Sequence, residues 1–167
     1  MAQEQVVEIA ARAGKYLTFR LGAEEFGLAI LKVQEIIGLL RITRVPRTPA
    51  YIRGVINLRG KVIPVVDLRL RFAMEGKADT DRTCVIVVEI VNHGTRITTG
   101  ILVDDVCEVL NIAPEQLEPP PSFGSEAATE FLIGMGKVAQ RVVMLLDIDR
   151  ALGAAEIDAL EQVQQKA

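Results

Sequence analysis

The chain has 167 residues, half of them apolar, with a net charge of −3, enough for one globular unit or two small intertwined ones. It holds one histidine, His93, two serines, Ser122 and Ser125, and two cysteines. Most nucleophile–base pairs and most zinc sites need more than that, so composition argues against an enzyme.

No apolar run approaches the ~20 residues of a membrane span, and the polar, acidic start of the chain is no secretory signal. A cytoplasmic protein is therefore expected. Valine and isoleucine number 19 and 16, against seven aromatics, and stiff β-branched side chains suit pleated sheets. Cys84 and Cys107 stand in apolar stretches without a C-x-x-C pattern and read as free, buried thiols.

In chain order, Val6, Val7 and Ala10 share a helical face, predicting a short helix before Gly14. From Tyr16 the period becomes two: Leu17, Phe19 and Leu21 alternate with Tyr16, Thr18 and Arg20, the pattern of a half-buried strand. Residues 22–25 read as a turn, Phe26 to Ile30 as a strand, and Val33 to Leu40 as extended. Thr48-Pro49 supplies an N-cap and a first-turn proline, with Gly54 as the stop, predicting one helical turn over Ala50 to Arg53. Val55 to Leu58 and Lys61 to Leu68 are strands joined across Arg59-Gly60, and Pro64 suggests an edge or a bulge in the second.

Met74 to Arg82 reads as a connector, and Thr83 to Val91 as a strand covered on both faces. Asn92-His93-Gly94 is a turn, followed by strands over Arg96 to Val103 and Val106 to Ile112. Pro114 to Gly124 is an extended loop, Val142 to Asp147 a last buried strand, and Ile157, Leu160 and Val163 form the stripe of a terminal helix. About ten short strands predict an all-β barrel or sandwich.

The chain also matches itself. An offset of 73 pairs Gly27 with Gly100, Val33 with Val106, Glu35 with Glu108, and Ile36 and Ile37 with Val109 and Leu110. After a seven-residue extension, Gly54 meets Gly134, Lys61 meets Arg141 and Asp67 meets Asp147. Two similar small barrels sharing a core are expected, since neither half would bury enough apolar surface alone.

The search for chemistry finds no catalytic constellation. Asp104 and Asp105 are neighbours and point to opposite faces of a strand. His93 sits in a turn, and Gly134-Met135-Gly136-Lys137 lacks the Ser/Thr and the following helix of a phosphate loop. Charge is the stronger signal. Residues 41–71 hold eight basic residues (Arg41, Arg44, Arg47, Arg53, Arg59, Lys61, Arg69 and Arg71) against Asp67 alone, a local +7 inside a remainder of −10. That stretch reads either as solvated positions or as a docking face for an acidic partner or nucleic acid, with only Tyr51 and Phe72 able to stack on bases.

Two stretches carry a family resemblance. Phe26 to Ile37 (F-G-L-A-I-L-K-V-Q-E-I-I) resembles the second and third strands of the CheW family of bacterial chemotaxis coupling proteins. Gly54 to Arg69 (G-V-I-N-L-R-G-K-V-I-P-V-V-D-L-R) is similar to that family's most distinctive segment. Gly100 to Val106 and Val143 to Asp149 match its second half, and the likeness runs from about Tyr16 to Leu152. It implies an all-β fold of two five-stranded SH3-like β-barrel subdomains sharing a core. The first covers about 16–72 and the second about 83–148, with ends that cross over, after an N-terminal segment 1–15 and before a C-terminal helix 153–167.

The resemblance also implies no catalysis and no cofactor. Its expected partners are the cytoplasmic tips of methyl-accepting chemotaxis receptors, the regulatory domain of the histidine kinase CheA, and other copies of the coupling protein in array rings. No nucleic acid and no membrane insertion are expected. A receptor helix would lie in an apolar groove lined by Val33 and Val109, with Glu35 and Arg59 at the rim and Gly54 and Gly60 beside them. Kinase contact would use Phe123 and Glu118, although Glu118 stands where relatives can carry a basic residue. The absence of a receiver domain after Ala167 argues against the fused CheV type. Coupling in twitching, gliding or developmental arrays, a nucleic-acid-binding barrel and a small hydrolase are the rival readings.

Overall fold

The computed structural model describes residues 12–72, 74, 78–92, 94–120 and 131–152. Eleven strands dominate them. The first half holds β1 (Gly14–Leu21), β2 (Glu24–Ala29), a single 3-10 turn over Ile30–Lys32, β3 (Val33–Gly38), β4 (Ile52–Leu58), β5 (Lys61–Asp67) and the short helix α1 (Leu68–Arg71). The second half holds β6 (Cys84–Asn92), β7 (Thr95–Val103), β8 (Asp105–Ile112), a 3-10 turn over Pro114–Gln116, β9 (Leu117–Glu118), β10 (Leu132–Val138), β11 (Arg141–Leu146) and α2 (Ile148–Ala151).

The internal repeat is structural. The offset pairs set β2 on β7, β3 on β8, β4 on β10 and β5 on β11, and both halves end the last strand with an aspartate that caps a helical turn. The Asp67 carboxylate accepts from Arg69 N at 3.0 Å, and that of Asp147 from Arg150 N at 3.3 Å. Yet the halves exchange strands. One sheet runs β8-β1-β2-β11-β10-β9 and the other β3-β6-β7-β5-β4. Each is thus completed by a hairpin from the opposite half, through the parallel pairs β11–β2 and β5–β7.

Three apolar clusters follow from this exchange. Each sheet folds over a small core of its own: Ile56, Ile63, Val65, Val85, Val87 and Leu102 in one, and Tyr16, Ile112, Leu117, Val143 and Leu145 in the other. Between the sheets lies the largest cluster, built on Phe19, Leu28, Val66, Ile86, Ile101 and Leu146 among others. Strand alternation divides the labour, so that Val85 and Val87 face the small core while Ile86 and Val88 face the shared one. Thr83 to Val91 thus reads as apolar on both faces because both faces are covered.

Several expectations need correction. No helical turn forms over Ala50–Arg53. The Thr48 hydroxyl donates to Val45 O at 2.9 Å instead of capping, and β4 already begins at Ile52. β1 is not half-buried: Tyr16 through Phe19 are all covered, because both the shared core and its own sheet's core pack on it. The turn after β1 spans only Gly22-Ala23, since Leu21 already pairs with Glu24. β5 is an internal strand, and Pro64 is tolerated just before its ladder to β7 begins at Val65. β10, whose glycines mask its alternation, and the short strand β9, within the expected loop, are additional strands; with β9, one sheet holds six strands instead of five. Cys84 and Cys107 are free but only half-buried. The expected terminal helices, His93 and Phe123 lie outside the described residues.

Candidate functional site

The β4–β5 hairpin closes through Arg59 and Gly60, both in the left-handed region, with φ of 53° and 83°. Two positive φ values make this the two-residue hairpin turn whose twist matches paired strands. The Asn57 carboxamide oxygen accepts from Gly60 N at 2.9 Å and steadies it. Glycine takes that conformation freely, whereas an arginine there is held at a cost. Its side chain projects from the turn, 72 % exposed, and ion-pairs with Glu35 of β3.

Glu35 is brought there by a bulge. The register steps from Val33 opposite Val88 to Glu35 opposite Val87, leaving Gln34 as an extra residue. Around the pair lies a shallow hollow of about 410 Å³, lined by Gln34, Leu58, Lys61, Glu89 and Thr98, with Ile63 and Val87 buried behind it. The Gln34 amide donates to Glu89 Oε2 at 3.1 Å, and Arg96 Nη1 lies 3.3 Å from Glu89 Oε1. The result is a shallow, mostly polar hollow of mixed charge, able to hold a partner's helix by contact. Among the described residues, no group of three or more His, Cys, Asp or Glu could hold a metal ion.

The other half carries the same plan with one charge missing. Glu108 stands at the position of Glu35 and meets Arg141 at 3.3 Å, and Arg141 also approaches the buried Glu25 at 3.7 Å. The residue equivalent to Arg59 is Ala139, again in the left-handed region at φ 56°. Only one of the two hairpin tips therefore presents a projecting cation.

The structure unites Glu35, Arg59 and Gly60 but not the rest of the expected receptor set. Gly54 is buried at the far end of β4, beneath the chain segment that crosses it at Thr43, where a Cβ would lie 2.1 Å from the Thr43 carbonyl oxygen. Val33 packs against the shared core from edge strand β3, while Val109 is 50 % exposed on β8, the edge of the other sheet. The repeat offers a better match: Ile36, its partner at the offset of 73, is likewise exposed on β3. That signal lay in the sequence alignment itself. On the expected kinase side, Glu118 ion-pairs with Lys137 of β10 at 2.5 Å.

The basic stretch is also less basic at the surface than its count implies. Arg69 is fully buried, and Arg53 meets Asp67 and Asp79 at 3.4 and 3.0 Å. Both aromatic rings of the stretch are engaged: Arg71 covers Tyr51 at 5.9 Å, and Phe72 stacks on Phe131 at 4.5 Å.

A family profile, the CheW-like domain, matches residues 15–156. The chain belongs to the CheW-like family. It is 44 % identical over 149 residues to Chemotaxis protein CheW of Klebsiella aerogenes, covering 89 % of this chain and 87 % of that one. It is 31 % identical over 158 residues to Protein FrzA of Myxococcus xanthus, covering 93 % and 96 %. Among solved structures, the scaffolding protein TtCheW from Thermoanaerobacter tengcongensis superposes with a TM-score of 0.75 at 34 % identity, covering 86 % of this chain and 95 % of that one. CheW-like proteins are non-catalytic scaffold adaptors of chemotaxis, and this CheW-like chain is one of them. No helix among its described residues is long and apolar enough to cross a membrane.

Proposed function

We propose that this adaptor couples the cytoplasmic tips of methyl-accepting chemotaxis receptors to the regulatory domain of the histidine kinase CheA, working in the cytoplasm and recruited to membrane receptor clusters. The observation that carries the reading is the Glu35–Arg59 pair, raised on a hairpin tip beside a shallow, mostly polar hollow. Gly60 shares the turn with Arg59 in that contact surface; Val33 backs β3 from the shared core, and Gly54 and Val109 lie away from it. Glu118 and Phe123 serve as kinase contacts in this reading, and further copies of the adaptor join the array. Residues 16–152 act as one unit, because each sheet borrows a hairpin from the other half.

Co-sedimentation of the purified chain with receptor fragments and the kinase tests this. Arg59→Glu is expected to weaken recovery with receptor while leaving the thermal melt unchanged, because an exposed ion pair adds only about 0–1 kcal/mol to stability. Undiminished recovery, or unfolding of the variant, would overturn the assignment of Arg59. A second reading is the same coupling in a non-flagellar array, which co-sedimentation with receptors of such an array would reveal; a relative at 31 % identity is named Protein FrzA.

A further inference from the structure

The two hairpin tips that the repeat equates differ in charge. At the β4–β5 tip, Glu35 meets Arg59, with Lys61 and the neutral Thr98 beside the pair. The offsets set Glu108 on Glu35, Arg141 on Lys61, Ala139 on Arg59 and Glu25 on Thr98. The second tip has therefore lost a cation and gained a carboxylate.

Both carboxylates are held in place. The register of β1 and β8 steps from Leu17 opposite Val109 to Phe19 opposite Val106, so that Cys107 and Glu108 together face Thr18. The buried Thr18 hydroxyl donates to Glu108 O at 2.9 Å and accepts from Glu108 N at 3.1 Å, pinning this bulge. Glu25, 8 % exposed, keeps Oε2 3.7 Å from Arg141 Nε, and its buried Oε1 has no hydrogen-bond partner among the described residues. Arg20, opposite Glu25 across β1 and β2, donates to the Cys107 sulfur instead. Glu25 and Glu108 thus share the one guanidinium of Arg141, which leaves one negative charge in excess. A buried acceptor without a donor is uncommon in a folded protein, and a half-compensated buried carboxylate is costly.

We propose that this acidic mouth is a docking site for an arginine side chain of a partner protein, which supplies the cation that Ala139 lacks. Ala139 takes the left-handed turn position at φ 56°, as Arg59 does at 53°, so the incoming guanidinium occupies the place that Arg59 fills in the other half. Glu108 is exposed and offers its carboxylate to a guanidinium fork, and the buried charge of Glu25 strengthens the pull in surroundings of low dielectric. Val142, 51 % exposed next to Arg141 on β11, takes the methylene stem, which a long basic side chain lays along apolar surface. A bare metal ion fits less well, because among the described residues no group of three or more His, Cys, Asp or Glu could hold one. The site belongs to the six-stranded sheet, whereas Glu35 and Arg59 belong to the other, so it is independent of the proposed receptor contact.

The test titrates the ¹⁵N-labelled full chain with an acetylated, amidated peptide of alanine and leucine carrying one arginine, and with the same peptide carrying citrulline, its uncharged isostere. Salt-sensitive amide shifts at Glu25, Glu108 and residues 138–142 are expected with the arginine peptide alone. Ala139→Arg should abolish binding at this tip, because its own guanidinium then fills the mouth, and Arg59→Glu should leave binding intact. Glu108→Gln, at an exposed position, reads the loss without any change in the turn and should weaken the affinity about fivefold. Absence of binding by the arginine peptide, equal binding of the citrulline peptide, or undiminished binding by both Ala139→Arg and Glu108→Gln would overturn the proposal. So would shifts centred on Arg59, or the same shifts evoked by magnesium chloride at equal ionic strength.

Discussion

Arg69 reaches 35 positions along the chain to donate from Nη1 to Asp104 Oδ1 at 2.8 Å, fully buried. Its Nε and Nη2 donate in parallel to the two carboxylate oxygens of Asp67, at 3.0 and 2.9 Å. Asp104 Oδ2 in turn accepts from Gly22 N at 2.6 Å. One guanidinium thus ties α1 to the β7–β8 corner and, through Asp104, to the β1–β2 turn, which are the points where the two halves exchange strands. The acids beside it, Asp67 foremost, hold its charge on by raising its pKa further.

Removing that side chain takes the shared guanidinium from two buried carboxylates, leaving them backbone donors and, for Asp67, the more distant Arg53. Arg69→Ala is expected to cost roughly 3–5 kcal/mol, and Arg69→Lys to recover little of it, because an ammonium cannot span both aspartates as a fork does. Urea denaturation measures both. A loss below about 1 kcal/mol for Arg69→Ala would show that the network is dispensable.

Gly54 has a steric role that no side chain can share. Its φ is +142°, and a Cβ would meet the Thr43 carbonyl carbon at 2.8 Å as well as its oxygen. Gly54→Ala should therefore push the crossing segment off β4, at a cost of roughly 2–4 kcal/mol. Loss of hydrogen-exchange protection at the Thr43 and Val55 amides would locate the damage. An unchanged melt would mean that the segment shifts freely.

Arg59 occupies a left-handed position that glycine fills without strain. Arg59→Gly is expected to match or exceed wild-type stability, by up to about 1 kcal/mol, while weakening receptor co-sedimentation. Opposite movement of the two readouts separates a contact residue from a structural one. A destabilised glycine variant would instead assign Arg59 to the fold.

Burial raises the pKa of both thiols, helped by Asp105 beside Cys84 and by Glu25 beside Cys107. The native state therefore keeps its thiols neutral while the unfolded chain ionises them from about pH 8.5 upward. Stability should be unaffected by these groups below that pH and should fall with rising pH above it. At neutral pH, iodoacetamide should alkylate the folded protein more slowly than it alkylates free cysteine. Labelling as fast as the free thiol would contradict the shielding.

Local signals carried much of the fold. The period-two stretches, the Arg59-Gly60 turn and the doubly apolar strand after Thr83 all rest on residues close in sequence, and the offset repeat foreshadowed the paired halves. The Thr48-Pro49 signal misled because one hydrogen-bonded turn, Ile52 N to Pro49 O, leads straight into β4, whose pairing overrides a cap that only local propensity favours. In the site, Arg59 was legible as a turn residue and Glu35 as a strand residue of the family motif.

Their ion pair was not legible, since the two are 24 positions apart and meet only because a bulge in β3 carries Glu35 to the hairpin tip. Burial of Arg69 in a stretch that counts as basic, the exposure of Arg41, Arg44 and Arg47, and the displacement of Gly54 from the contact surface are of the same kind. From sequence alone came strand content, repeat, family and the poverty of catalytic side chains. Tertiary structure alone decided which charges are neutralised and which face outward, because the parallel pairs β11–β2 and β5–β7 join distant segments, and ion pairing depends on distance in space.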